Sequence, residues 1–276
     1  MLELEEYVEQ AYFFRVLRER IPQNLPMQEC LRQVKDELLA SSKLPMAIDF
    51  LRTELEHAGI LGDAMARLSH YFSPFQTYVI QEAENERGRF DMLAALAILQ
   101  AEAEYRGRGA TPQGLFIFQF EVLCRNRLRY DKCLTAIASD PWYDANWREW
   151  IVIVRRQIGL IEFADLVYIR SEYFQKRRLA KLDDGQPPDK PVLFGEKEGK
   201  IAWANRRKDP LFLFSAMQRH LGYPAVPRPT PPDESPQLIP QMMRRMERLE
   251  NRLKLLEEEQ VQGAIDITKL YSDRKQ

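Results

Sequence analysis

The stretch TPQGLFIFQFEVLCRNRL, residues 111–128, decides the fold class. Its LFIFQF run is β-like in composition. Three features argue for a helix instead. Thr111 suits an N-cap, because its hydroxyl can accept a backbone N–H that the first turn leaves without a partner. Pro112 suits that first turn, where its missing N–H and fixed φ cost nothing. The apolar run then sits inside a pattern of helical length and lacks flanking turn residues. The same argument makes IVIV a helix within SDPWYDANWREWIVIVRRQIG, residues 139–159, for which Asp140 and Pro141 offer a start.

Working outward toward the N-terminus, residues 3–20 read as a helix ended by Pro22 and Pro26. Residues 27–40 form a second, in which Met27, Leu31, Val34 and Leu38 make one apolar stripe. Pro45 opens a third that Gly59 closes. Residues 62–72 and 74–106 follow, the longer one interrupted at Gly88. In the other direction, FADLVYIRSEYFQKRRLAKL, residues 163–182, is a further amphipathic helix. The expected architecture is mostly α: a multi-helix body over residues 1–182, either a bundle or a short α-solenoid.

After the loop DDGQPPDKP, VLFGEKEGKIAWA presents two short apolar runs around Gly195 and Gly199, and so predicts a small β-hairpin. Asp209 and Pro210 open a helix that Gly222 closes. Hairpin and helix together form residues 183–222, packed on the body. Residues 223–237 are rich in proline and read as an extended spacer of about 3.1 Å per residue.

Beyond it, residues 238–260 carry a heptad seam. Ile239, Met246 and Leu253 fall at a, and Met242, Leu249 and Leu256 at d. Arg245 and Arg252 fall at g, Glu250 and Glu257 at e. In a parallel dimer these pair as Arg245 with Glu250 and Arg252 with Glu257, whereas an antiparallel pair sets glutamate against glutamate. Six apolar side chains at roughly 1.5–3 kcal/mol each give about 9–18 kcal/mol per helix. Association costs about 4–15 kcal/mol, so the zipper alone is weak. The partner is a second copy in a parallel dimer or another coiled-coil protein; the competing arrangement folds this helix back on its own body. Residues 261–276 are a flexible tail.

Charge is balanced over the chain, with 40 Lys+Arg against 41 Asp+Glu, but it is not evenly distributed. Residues 1–104 are net −8 and residues 105–210 net +6. Within the basic middle, Arg125, Arg129 and Lys132 have the spacing of one helix face, and Lys176, Arg177 and Arg178 form a second cluster. Tyr130, Tyr173, Phe174 and Trp203 are interleaved with them. Such a face could track phosphates while the rings stack on bases, which makes a nucleic-acid binder using residues 125–208 the alternative to an adaptor. A simpler reading is a solvated face that answers the acidic N-terminal part.

Catalytic signatures are missing: there is no GxSxG, GxxxxGK[ST] or GxGxxG. Glu54 and His57 make one ExxH where a di-iron bundle needs two, so no metal or cofactor is expected. Cys30, Cys124 and Cys133 lack disulfide or zinc spacing and imply a reducing, cytoplasmic setting. Neither a signal peptide nor a membrane span is expected, because MLELEEYVEQ is acidic and the longest uncharged run is 14 residues. Tyr143, Trp147, Trp150 and Val154 share a helix face and are expected in the core, with a peptide pocket as the sharper alternative. The sequence therefore predicts a non-enzymatic cytoplasmic adaptor or scaffold.

Overall fold

The computed structural model describes residues 2–23, 25–38, 42–85, 88, 90–180 and 190–228, and near the C-terminus residues 243, 246–250 and 252–254. The described part of the body is helical: Leu4–Arg20 (α1), Met27–Glu37 (α2), Leu44–Ala58 (α3), Leu61–Arg67 (α4), Pro74–Ala83 (α5), Met92–Gly107 (α6), Pro112–Arg125 (α7), Tyr130–Ser139 (α8), Ala145–Gln157 (α9), Phe163–Ile169 (α10), Glu172–Leu179 (α11), Glu196–Ala204 (α12) and Pro210–Leu221 (α13). No strand occurs among the described residues.

The deciding stretch is helix α7. Thr111 Oγ1 accepts from Gly114 N at 3.1 Å with Pro112 in the first turn, as the sequence predicts. Gly59 and Gly222 close α3 and α13 in the left-handed region, and Asp209 caps α13. The long 74–106 segment divides into α5, opened by a Ser73–Gln76 capping box, and α6, capped by Asp91.

Four expectations need correction. The predicted hairpin is not one: Leu193 and Phe194 run extended and bond Arg170 O, and residues 196–204 are helix α12. Glu196 and Glu198 favour a helix N-terminus by their charge, and Glu196 pairs with Lys200 one turn on. Gly199 is not a turn glycine. A Cβ there would lie 2.3 Å from Ser171 Oγ, so its bare backbone lets α12 pack against the start of α11.

The second correction concerns the segment predicted as one helix over 163–182, whose described residues, 163–180, hold the two helices α10 and α11. Ser171 interrupts them, donating to Tyr168 O at 2.6 Å and accepting from Phe174 N at 3.2 Å as the cap of α11. Third, α9 starts at Asp144, whose Oδ1 accepts from Trp147 N at 2.9 Å, and not at Asp140. Fourth, the proline-rich segment does not leave the body at residue 223. Tyr223 is buried, its hydroxyl 2.7 Å from Glu121 Oε2, and Pro227 O accepts from Asn126. Residues 229–237 lie outside the described residues.

Long-range closures organise the body. Helix α1 lies along α6, α7 packs on α13, and α10 packs on α12. A solenoid, in which each repeat touches only its neighbours, lacks such closures, so the bundle alternative describes the body better. Phe116 of α7 is the aromatic centre, within 6.5 Å of the rings of Phe120, Tyr143, Trp147, Trp150 and Phe163. Tyr143, Trp147, Trp150 and Val154 are buried there, as their spacing predicts.

A polar network runs through this core. Arg106 Nη2 donates to Glu102 Oε1 at 2.8 Å and Asp140 Oδ2 at 2.5 Å. Gln119 bridges Glu102 and the Tyr143 hydroxyl, each at 2.8 Å. Burial by itself would lower the Arg106 pKa; the Glu102 and Asp140 carboxylates outweigh it and hold the guanidinium charged.

Candidate functional site

The structure disperses the predicted basic face. Arg125 and Arg129 belong to no common helix, because α7 stops at Arg125 and α8 starts at Tyr130. Arg127 takes φ +54°, and Leu128 N bonds Leu123 O at 3.1 Å, the six-to-one bond of a Schellman stop. Arg125 then pairs with Glu121, and Arg129 with Glu82. Lys132 lines a groove of about 640 Å3 between α4–α5 and α8–α9, beside Tyr78, Thr135 and Arg155. These three cations do not share one helix face.

The second cluster behaves differently. Chain segments some thirty residues apart converge where α10, α11 and α12 meet, and they build a ledge of rings and cations. The Arg177 guanidinium lies 4.3 Å from the Trp203 ring centre and 5.7 Å from that of Tyr173. Arg206 lies 4.4 Å from the Trp203 centre and 5.5 Å from that of Tyr168, and Lys200 Nζ lies 5.7 Å from the Tyr173 centre. Trp203 keeps 38% of its surface exposed, so its contacts with the two guanidiniums leave part of the ring in water.

Carboxylates neutralise part of the ledge. Glu196 accepts from both Lys176 and Lys200, and these hydrogen bonds pull its pKa down to about 2. Asp165 pairs with Arg206. Arg177 and Arg178 make no ion pair among the described residues. The sequence already pointed to Tyr173, Arg177 and Trp203. Glu196 and Lys200 escaped it because VLFGEKEGKIAWA read as a hairpin with its turn around Gly195 and Gly199, and Tyr168 because it joins the ledge only through the packing of α10 on α12.

The C-terminal seam is a separate feature. Residues 246–250 and 252–254 are helical, with Met246, Leu249 and Leu253 exposed at 60%, 61% and 58%. Glu250 and Arg252 are exposed on the same residues. Ile239, Met242, Arg245, Leu256 and Glu257 lie outside the described residues.

Catalytic groupings do not emerge from the described residues. Among the described residues, no cluster of three His, Cys, Asp or Glu is placed to hold a metal. Glu54 pairs with Arg67, and His57 is exposed. Burial raises the pKa of all three cysteines, that of Cys124 to about 11, which keeps them thiols and not nucleophilic thiolates at neutral pH. No described helix is long and apolar enough to cross a membrane. The site is thus a cation–aromatic surface on a helical bundle, accompanied by a separate apolar helical seam. Compared with protein-family models, curated proteins and solved structures, the chain matches none.

Proposed function

We propose that this protein is a non-enzymatic cytoplasmic adaptor or scaffold whose C-terminal helix assembles as a parallel coiled coil, with a second copy or with another coiled-coil protein. The observation that supports this reading is the seam itself. Three large apolar side chains, Met246, Leu249 and Leu253, stand at 3 and 4 spacing about three-fifths exposed on residues 246–250 and 252–254, which are otherwise polar. Burying them against a partner would contribute roughly 1.5–3 kcal/mol each. The e and g charges then select parallel register. Three unpaired cysteines suit a reducing compartment.

Light scattering after size exclusion, on the full chain and on a chain stopped at Pro236, tests it. A dimer that becomes a monomer on truncation, and equally on Leu249→Lys, is the expected result. If truncation and substitution leave the mass unchanged, homodimerisation through the seam is lost as an explanation.

A second reading, nucleic-acid binding, rests on the ledge of Tyr173, Arg177, Trp203 and Arg206 in place of the wider face. Bases would stack on the exposed part of Trp203 while Arg177 met phosphate. Titration with single- and double-stranded oligonucleotides decides it: affinity should fall steeply with salt, and no binding at about 50 mM salt removes the reading.

A further inference from the structure

One end of the body displays two apolar tips that no described element covers. Leu160 and Ile161 sit in the turn between α9 and α10, 85% and 36% exposed. Leu211 and Phe212 sit in the first turn of α13, 44% and 62% exposed. Both are firmly held. Gly159 takes φ +88°, and Leu160 N and Ile161 N both donate to Gln157 O at 3.0 Å. Asp209 Oδ1 accepts from Leu211 N at 2.8 Å.

The two tips belong to the same end. Arg207 N donates to Glu162 Oε2 at 2.8 Å, and the rings of Phe163, the first residue of α10, and Phe214, one turn into α13, are 6.1 Å apart. The N-terminal ends of α10 and α13 are therefore side by side. Arg156, Arg207 and Lys208 are exposed around them and make no side-chain ion pair among the described residues. The acids at this end are engaged: Glu162 with Arg207 N, Asp165 with Arg206, and Asp209 as a cap.

We infer that this end docks on an anionic phospholipid surface. Leu160, being 85% exposed, projects from the body and does not line a groove. Projecting side chains suit insertion at a headgroup boundary, whereas a protein partner would have to supply a matching cavity for each. The unpaired cations beside the tips complement lipid phosphate. A second copy fits poorly, because joining two such ends would bring Arg156, Arg207 and Lys208 against their own equivalents. The result is peripheral binding by shallow apolar insertion together with a basic rim. It is independent of the coiled-coil reading.

Sedimentation of the full chain with phosphatidylcholine vesicles, with and without phosphatidylserine, tests the inference. The protein should bind the phosphatidylserine vesicles and not the neutral ones. Leu160→Ser with Phe212→Ser should weaken binding by roughly tenfold or more through lost insertion. Arg207→Gln and Lys208→Gln should each weaken it about fivefold and flatten its salt dependence. All four positions are exposed, and circular dichroism of each variant checks that it is folded. Failure to sediment with either vesicle overturns the proposal, as does a serine pair that binds like the parent. A serine pair that instead changes the oligomeric state in the absence of lipid makes the end a protein interface and also overturns it.

Discussion

Arg106 and Arg206 have nearly the same surroundings and opposite exposure. Arg106 lies 5.8 Å from the ring centre of Tyr7 and 5.2 Å from that of Trp142, paired with Glu102 and Asp140. Arg206 lies over Tyr168 and Trp203, paired with Asp165. The first side chain is 2% exposed and the second 34%. One set of contacts is therefore committed to holding α6 against the α8–α9 corner. The other remains open to solvent and to whatever comes from it. Charge and aromatic rings do not by themselves mark a binding surface; access to water decides whether they serve the fold or a partner.

The largest expected effect separates these two arginines. Arg106→Met leaves Glu102 and Asp140 buried without their counter-charge and should cost about 3–5 kcal/mol in urea unfolding. Arg206→Met removes a half-open pair and should change stability by less than about 1 kcal/mol. Equal losses at the two sites would mean that solvent access does not govern the difference.

A smaller effect is expected where the ledge is assembled. Gly199→Ala places a methyl group 2.6 Å from Ser171 Cβ and 2.7 Å from Tyr173 Cβ, so α12 must retreat from α11. Overpacking of this kind costs about 1–3 kcal/mol, and a denaturant midpoint unchanged from the parent would show that α12 can shift freely. Because Trp203 and Lys200 ride on α12, the same variant should weaken any ligand that needs them together with Tyr173.

Residue chemistry shows why part of this molecule could be read in advance. Thr111–Pro112, Asp209–Pro210, Gly59 and Gly222 each carry a local signal that settles a helix end by itself, and all four ends occur as read. The Trp147–Trp150 face was legible because helical spacing and burial agree. The end of α7 was not, since its left-handed position is occupied by Arg127, a residue that gives no stop signal. Nor was α12, whose Gly199 answers to a neighbouring helix distant in sequence. The buried role of Arg106 depends on Asp140 from another element, and pairings of that kind leave no local pattern. The ledge was half legible for the same reason: its rings and cations stand out by type, but their convergence is tertiary.

The finest test of the contrast lies in the acid range, on the exposed side. Glu196 is held by hydrogen bonds from Lys176 and Lys200, which lower its pKa from an ordinary 4.5 to about 2. A carboxyl depressed in the folded state stabilises it above the unfolded pKa, and this contribution disappears as pH falls through the folded value. Parent and Glu196→Gln should therefore differ most above pH 4.5, and the difference in urea midpoint should shrink steadily down to about pH 2. Taking the difference cancels the other acids that titrate in this window, Glu29 and Glu37 among them, which arginine contacts also hold low. The gap should be small and should narrow further with added salt, because both lysines face water. A gap that stays constant with pH would show that Glu196 acts as a helix-start residue through its shape and hydrogen bonding and not through its charge. The ledge would then hold less of its own electrostatic pairing, and Lys176 and Lys200 would be more available to an anionic ligand.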